Sequence, residues 1–228
     1  MKISLKDGSE REYAGSKSVI AIASDISEGL ARIATAGEIN GETADLRTVV
    51  DSDCDLNILT FQDEKGKSAF WHTASHIMAQ AVKRLYPDTK CAIGPAIDNG
   101  FYYDFDFSFP FTEENLAAIE KEMKKIVKQS LPLEVFEVKK EEALSYMKER
   151  QEDYKVEMIE ELPEDETITF YKQGDYEEFC AGPHVSNTCV IKAIKLLSTA
   201  GAYWRGDEKN KMLTRIYGIS FPKASELK

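Results

Sequence analysis

The sequence predicts an α+β protein of two domains, a small strand-rich module followed by a larger α+β domain with a central, mainly antiparallel sheet. Three observations predict it. Asp7-Gly8, Asn40-Gly41 and Asn99-Gly100 each sit between short apolar runs, which is the turn chemistry of tight hairpins. Helical patterns at Val19 to Ile26, Ser68 to Tyr86 and Thr112 to Gln129 accompany those strands. The polar stretch DEKGKSA, residues 63–69, separates the two halves and places the boundary so that the domains are 1–62 and 63–228.

In chain order, KISLKDGSEREYA reads as strand, turn, strand around Asp7-Gly8. Val19, Ile22, Ala23 and Ile26 then recur at helical spacing, with Gly29 as the expected stop. Short strands follow around Asn40-Gly41, and DLNILT closes the module. The order ββαβββ within about 60 residues is that of a ubiquitin-like β-grasp. The second domain opens on a helix from about Ser68 to Tyr86, closed by Pro87, which cannot continue it. On that helix Phe70, Ala74, Ile77, Ala81 and Leu85 share one face, and His72, His76 and Lys83 lie roughly opposite. CAIGPAI and FYYDFDF read as strands flanking Asp98-Asn99-Gly100, and Thr112 can cap a helix running to about Gln129. The strand PLEVFEV, a Glu-rich helical stretch, the strand TITFYK and a Cys-His segment come next. The remainder reads as sheet with a polar turn near Asp207 to Asn210.

At 228 residues, 43% hydrophobic and 30% charged, the chain can bury a substantial core. No apolar run of about 18 residues is present, and the start, MKISLKDGSE, lacks the apolar stretch of a signal peptide, so a cytoplasmic protein is expected. Four cysteines in a chain of this length do not make a disulfide scaffold. The net charge of -11 argues against a surface that binds nucleic acid throughout. That charge is unevenly placed. Glu141 to Cys180 holds 14 acidic and 4 basic residues, whereas Cys189 to Lys228 holds 8 basic and 3 acidic.

The chain has three histidines, all within two motifs, His72-x-x-x-His76 and Cys180-x-x-x-His184. The i, i+4 spacing puts the first two imidazoles on one side of a helix. Gly182 and Pro183 break any helix in the second motif, so Cys180 and His184 belong to a strand end and the loop after it. Either motif alone also suits a solvated helix face or a core residue beside a turn; their joint use of every histidine favours a site. Two chemistries are open to such a site. The four residues make a tetrahedral zinc set, although four filled positions suit a structural site better than a catalytic one. Metal-free imidazoles can instead take a proton from water and return it to a leaving oxygen.

The motifs lie inside longer strings: WHTASHIMAQAVKRLYP, CAIGPAIDNGFYYDFDF, DYKVEMI, FCAGPHV and STAGAYWRGDEKNKMLTRIYG. Together these strongly resemble the amino-terminal half of bacterial threonyl-tRNA synthetases, and residues 1–62 resemble their TGS domain. The likeness covers nearly the whole chain. Alanyl-tRNA synthetases and their free-standing deacylase relatives share only the two-motif skeleton. The resemblance implies an editing region that hydrolyses serine from mischarged tRNA(Thr), with the tRNA acceptor end as partner, serine as product and no cofactor required. It places the site on His72, His76, Cys180 and His184, adding Lys155, Tyr103 and Glu178. His72 and Lys155 would activate water and stabilise charge. Cys180, His76 and His184 would position the substrate, with Tyr103 and Glu178 binding it. Two positions depart from the family's pattern: Glu178 where Asp is common, and Ala181 where Arg is common, which leaves no basic side chain there to meet phosphate. ATP and the threonine-selecting zinc belong to the family's ligase core, whose motifs this sequence lacks, so no aminoacylation is expected and a monomer is. Zinc in the His/Cys cluster is open but not favoured. The strip holding Lys192, Lys195, Arg205, Lys211 and Arg215, with Tyr203 and Trp204 interleaved, is the candidate for contacts to the tRNA acceptor arm.

Overall fold

A computed structural model describes residues 1–228. Its first strands, β1 (Lys2–Leu5) and β2 (Glu10–Glu12), turn at Asp7-Gly8, where Gly8 takes φ +88 and Asp7 Oδ1 accepts the Ser9 N–H at 2.9 Å. β3 (Lys17–Ser18) leads into α1 (Val19–Ile26), whose first turn is capped by Ser18. The expected stop at Gly29 is not where the helix breaks. Ser27, with φ -166 and ψ 142, ends α1 and caps α2 (Glu28–Ile33) through its side chain, leaving Gly29 inside the second helix. A serine that both leaves helical geometry and accepts an orphan N–H outweighs the modest cost of an internal glycine. β4 (Ala34–Ile39) and β5 (Glu42–Ala44) turn at Asn40-Gly41, both with positive φ. β6 (Val49–Val50) pairs with β3 in a two-stranded sheet too short to show any alternation in the sequence. β7 (Cys54–Thr60) lies at the centre of the main sheet of this part, ordered β2-β1-β7-β4-β5, with β1 and β7 parallel. Ile3, Val19, Ile22, Leu46 and Leu56 fill its core.

α3 (Glu64–Leu85) starts earlier than its apolar pattern implies, because the polar stretch read as a linker forms its first turns. Glu64 and Lys65 are good helix formers, and an acidic side chain suits a helix N-terminus. The expected division of α3 into an apolar and a polar face also does not hold. Trp71, Thr73, Ser75, His76 and Gln80 are buried along with Phe70, Ala74, Ile77 and Ala81. From Ala69 to Val82 every residue but His72 is buried, so His76 lies in the interior and His72 is half-buried.

β8 (Lys90–Cys91), β9 (Ala96–Ile97) and β10 (Gly100–Asp106) follow. CAIGPAI forms two short strands rather than one, since Gly94-Pro95 interrupts it and proline has no N–H for a ladder. α4 (Glu113–Gln129) carries the expected Thr112 cap, completed by Asn115 as a capping box. β11 (Leu133–Lys139), α5 (Lys140–Glu149), α6 (Asp153–Glu160), β12 (Thr167–Gln173) and β13 (Tyr176–Phe179) come next. β14 (Ala193–Tyr203) and β15 (Met212–Phe221) form a long hairpin around the expected polar turn. The central sheet runs β14-β15-β10-β8, with β9 added against β10, and every pairing in it is antiparallel. A separate three-stranded sheet, β11-β12-β13, was not anticipated as such; β13 delivers Cys180. No helix is long and apolar enough to cross a membrane.

Gly66 lets α3 pass close to the end of β7: a Cβ there would lie 2.1 Å from Thr60 O and 2.8 Å from Thr35 Oγ1. Backbone cannot give way cheaply, so Gly66→Ala should destabilise by about 1–3 kcal/mol. Urea unfolding of this variant beside Lys65→Ala, a neighbouring exposed change expected to be near neutral, checks it.

Candidate active site

Four elements build the site. α3 supplies His72 and His76 one turn apart, β10 supplies Tyr103, α6 supplies Lys155, and β13 with its following loop supplies Glu178, Cys180 and His184. The ring centroids of His72, His76 and His184 lie 4.1–5.0 Å apart. Cys180 Sγ is 3.4 Å from His72 Nε2 and 3.3 Å from His184 Nε2, and it accepts the Gly182 N–H at 3.3 Å. All seven residues singled out by motif or resemblance therefore meet in one place.

Glu178 organises the interior edge of this cluster. Its Oε1 accepts from Lys155 Nζ at 3.0 Å and from the Tyr103 hydroxyl, while Oε2 lies 3.1 Å from His76 Nε2. The His76 approach is close but poorly aligned, so Oε2 makes no full hydrogen bond within the chain. Tyr103 lies flat against Gly94, where a Cβ would come within 2.1 Å of its ring. Ser75 donates to Gly94 O at 2.6 Å and so ties that loop to α3.

Thr73 settles the tautomer of His184. Its one hydroxyl proton goes to Ala69 O at 2.9 Å, so Oγ1 accepts, taking the Val185 N–H at 3.1 Å and His184 Nδ1–H at 3.0 Å. His184 Nε2 then presents a lone pair to Cys180.

Burial dominates the protonation states. It lowers His72 to about 4 and His76 to about 3 against the pull of Glu178, and it drives His184 well below the usual imidazole range. Burial pushes the Cys180 thiol up to about 12, helped by the Glu178 charge. Burial alone would also raise Glu178, but His76, Lys155 and the Tyr103 hydroxyl outweigh it and hold the carboxyl down to about 2. For Lys155, burial lowers and Glu178 raises, and the raising prevails. Near neutrality the site holds one ion pair, three uncharged imidazoles and a protonated thiol. Neutral imidazoles can accept protons, whereas a thiol this reluctant to ionise is not an activated nucleophile.

A donor atom from each of His72, His76, Cys180 and His184 lies within 4.8 Å of the others, so the cluster suits a metal ion in ligand type and spacing. The S···N separations approach the edge of about 3.5 Å that tetrahedral zinc requires.

The basic strip is less uniform. Arg215 forms a two-pronged pair with Asp104 at 2.8 and 2.9 Å, Lys211 pairs with Asp106 at 2.7 Å, and Arg205 is bonded to Glu157 and Glu161. Lys192 is exposed, and Lys195 reaches Glu120 only at 3.7 Å. Sequence reasoning missed Thr73, although it stands inside the H-T-A-S-H string, and it missed Asp45, Arg47 and Tyr171, which grip the His184 loop and carry no local motif.

Residues 1–60 match the TGS domain, and residues 168–217, which include Cys180 and His184, match the threonyl and alanyl tRNA synthetase second additional domain. Threonine–tRNA ligases from Acetivibrio thermocellus, Caldanaerobacter subterraneus subsp. tengcongensis and Clostridium acetobutylicum are 61%, 60% and 57% identical to the chain over 227 residues. The chain belongs to the threonine–tRNA ligase family. Its whole length is covered in these matches, and it spans 35–36% of each relative.

The buried histidines make stability depend on pH. Below their ordinary value of 6.5, unfolded imidazoles take protons that folded ones refuse, so stability is full above that value and falls as pH falls towards the folded values of about 4 and about 3. Glu178 acts in the same direction at lower pH. The thermal midpoint should therefore drop between about pH 7 and about pH 5, and drop less in His72→Asn. An unchanged midpoint across that interval would contradict the buried, neutral assignment.

Proposed function

We propose that the chain is the editing part of a threonine–tRNA ligase, hydrolysing the ester of mischarged seryl-tRNA(Thr) to serine and tRNA. We take residues 1–62 as its TGS domain and 63–228 as its editing domain. It acts in the cytoplasm, as a monomer, and needs no cofactor. The observation that carries this reading is the placement of three neutral imidazoles and a thiol directly beside the buried Lys155–Glu178 pair. The need for such a site is physical. Serine and threonine differ by one methyl group, worth only about 1–3 kcal/mol in a pocket, so a second hydrolytic site must supply the missing discrimination.

In this mechanism the water oxygen attacks the ester carbonyl carbon while His72 takes its proton. The tetrahedral oxyanion is stabilised by the Lys155 ammonium. The bond from the carbonyl carbon to the ribose oxygen then breaks, and that oxygen takes the proton back from His72. Glu178 Oε2, which lacks a full partner within the chain, accepts from the substrate ammonium, with the Tyr103 ring as one wall. His76, Cys180 and His184 hold the substrate's position and the pocket's shape. Lys192 and Lys195 meet acceptor-arm phosphate; Arg205, Lys211 and Arg215, already paired with carboxylates, contribute less.

A second reading rests on the metal-compatible cluster: a zinc-dependent deacylase of the alanyl type, or a non-catalytic RNA-binding module around a structural zinc. Such a zinc would polarise the carbonyl or bound water. Two features weigh against it. Four protein ligands leave no position open for water, and the Lys155 ammonium close by disfavours a divalent cation.

Purified chain should release serine from seryl-tRNA(Thr), and His72→Ala should slow release by roughly 10²–10⁴-fold. Lys155→Ala should lower the rate at saturation more than it raises KM; the reverse split would move Lys155 to phosphate binding. With a base titrating at about 4, the rate should be flat around neutrality and fall only in acid. Metal analysis and chelation separate the readings, because stoichiometric zinc with chelator-sensitive hydrolysis would overturn the metal-free one.

A further inference from the structure

The four-residue loop Asp45–Thr48 joins β5 to β6 at the edge of the N-terminal sheet and faces the site. It is firmly rooted. Leu46 is fully buried in the core of its own module, Leu46 O accepts the Ile20 N–H at 2.9 Å, and the Arg47 N–H is taken by Asp45 Oδ1 at 2.8 Å. The charged residues flanking Leu46 point the other way. Asp45 Oδ2 accepts from the Tyr171 hydroxyl at 2.7 Å and from the His184 N–H at 3.1 Å. Arg47 donates through Nε to Leu133 O at 2.7 Å, through Nη1 to His184 O at 3.2 Å, and through Nη2 to Val185 O. Arg47 Nη1 and Asp45 Oδ1, 2.8 Å apart, hold the two side chains to each other.

Both backbone groups of His184 are thus fixed by a pair of residues from the other end of the chain. Tyr171, anchored by the same carboxylate, packs edge-on to the His184 ring with the centroids 4.5 Å apart and lies against Gly182, where a Cβ would meet the hydroxyl at 2.1 Å. Burial and the Asp45 charge push the Tyr171 phenol up, which keeps it a donor. The hydrogen bonds of Asp45 and Arg47 within the His/Cys cluster go to the His184 backbone and not to the cluster's side chains. They act on the segment that carries half of it.

We propose that Asp45 and Arg47 are positioning residues for the hydrolysis, so that the N-terminal module sets where His184 and Cys180 stand and is a working part of the editing site. This rests on the function proposed above. A displacement of about 1 Å in such a constellation can cost on the order of 10²-fold in rate.

The test uses the full chain with Asp45→Ala, Asp45→Asn and Arg47→Ala, each read by amide hydrogen exchange of residues 180–186 and by single-turnover hydrolysis of seryl-tRNA(Thr). With Asp45→Ala, exchange in that segment should speed about tenfold or more and the saturated rate should fall roughly 10–100-fold, with KM changed by less than about threefold. Asp45→Asn, which retains an oxygen facing Tyr171 and His184, should recover much of both. Lys65→Ala, which removes the Lys65–Glu38 pair between α3 and the module, should change neither. Unaltered exchange and rate in folded Asp45→Ala would overturn the proposal. So would losses that Asp45→Asn leaves unrelieved. If the unsubstituted chain releases no serine, the editing reading falls, while the exchange measurement still decides whether the loop is held from the module.

Discussion

Everything in the site depends on a carboxylate buried where a carboxylate is costly. Glu178 is 3% exposed. An ion so placed persists only if its surroundings return what desolvation removes, and breaking such a pair from one side leaves a charge with no compensation. Here the return comes from a full charge at Lys155 and a hydroxyl at Tyr103, with His76 close by. Those residues stand on α6, β10 and α3, so the condition for keeping Glu178 ionised is also the condition for bringing separate elements together. The flat seat of Tyr103 on Gly94, and the bond from Ser75 to that loop, belong to the same requirement.

That one pair divides the site electrically. Charge is concentrated at Lys155 and Glu178, and the imidazoles beside it are driven neutral by the same burial that the pair withstands. Neutral rings next to a fixed ammonium make a proton acceptor adjacent to a stabiliser of negative charge, which are the two functions that ester hydrolysis by water asks for. The thiol follows the opposite course from a catalytic cysteine. Burial and the Glu178 charge outweigh the pull of the Gly182 N–H and Lys155, so it stays protonated and donates towards a ring nitrogen. Glu178, at the position where the resemblance leads one to expect Asp, meets both Lys155 and Tyr103 through Oε1.

The parts legible in the sequence are those written in local pattern or in scarcity. Hairpins at Asp7-Gly8 and Asn40-Gly41, the Thr112 cap and the long final hairpin are short-range chemistry, and they appear where the residues put them. The three histidines could be assembled into one site because there are no others. What escaped was context. An amphipathic reading of α3 assumes water on one side, whereas a helix enclosed between sheets buries polar residues as well, and the pattern cannot say how many neighbours cover it. Ser27 prevailed over Gly29 because a cap acts through a hydrogen bond to Leu30 that composition does not display. Basic residues at 205, 211 and 215 looked free only because their carboxylate partners lie distant in sequence, as Asp104 does from Arg215.

The least legible link is the one between the two ends of the chain, and its cause lies in the backbone. After Cys180, whose N–H still bonds to Thr169 O of β12, the chain runs from Ala181 through Val185 without helix or strand, so its buried N–H and C=O groups have no ladder to satisfy them. A segment in that condition must borrow partners or move. Thr73 takes the Val185 N–H, Asp45 takes that of His184, and Arg47 covers the carbonyls of His184 and Val185. Two of these three come from a module with no chemistry of its own in the sequence, where Asp45 and Arg47 were simply two of its many charges. Precision at His184 therefore cannot be a property of the larger domain alone. An irregular loop gives the freedom to aim Cys180 and His184 inward, and the β5–β6 loop supplies the anchors that hold the backbone of His184 and Val185 in place.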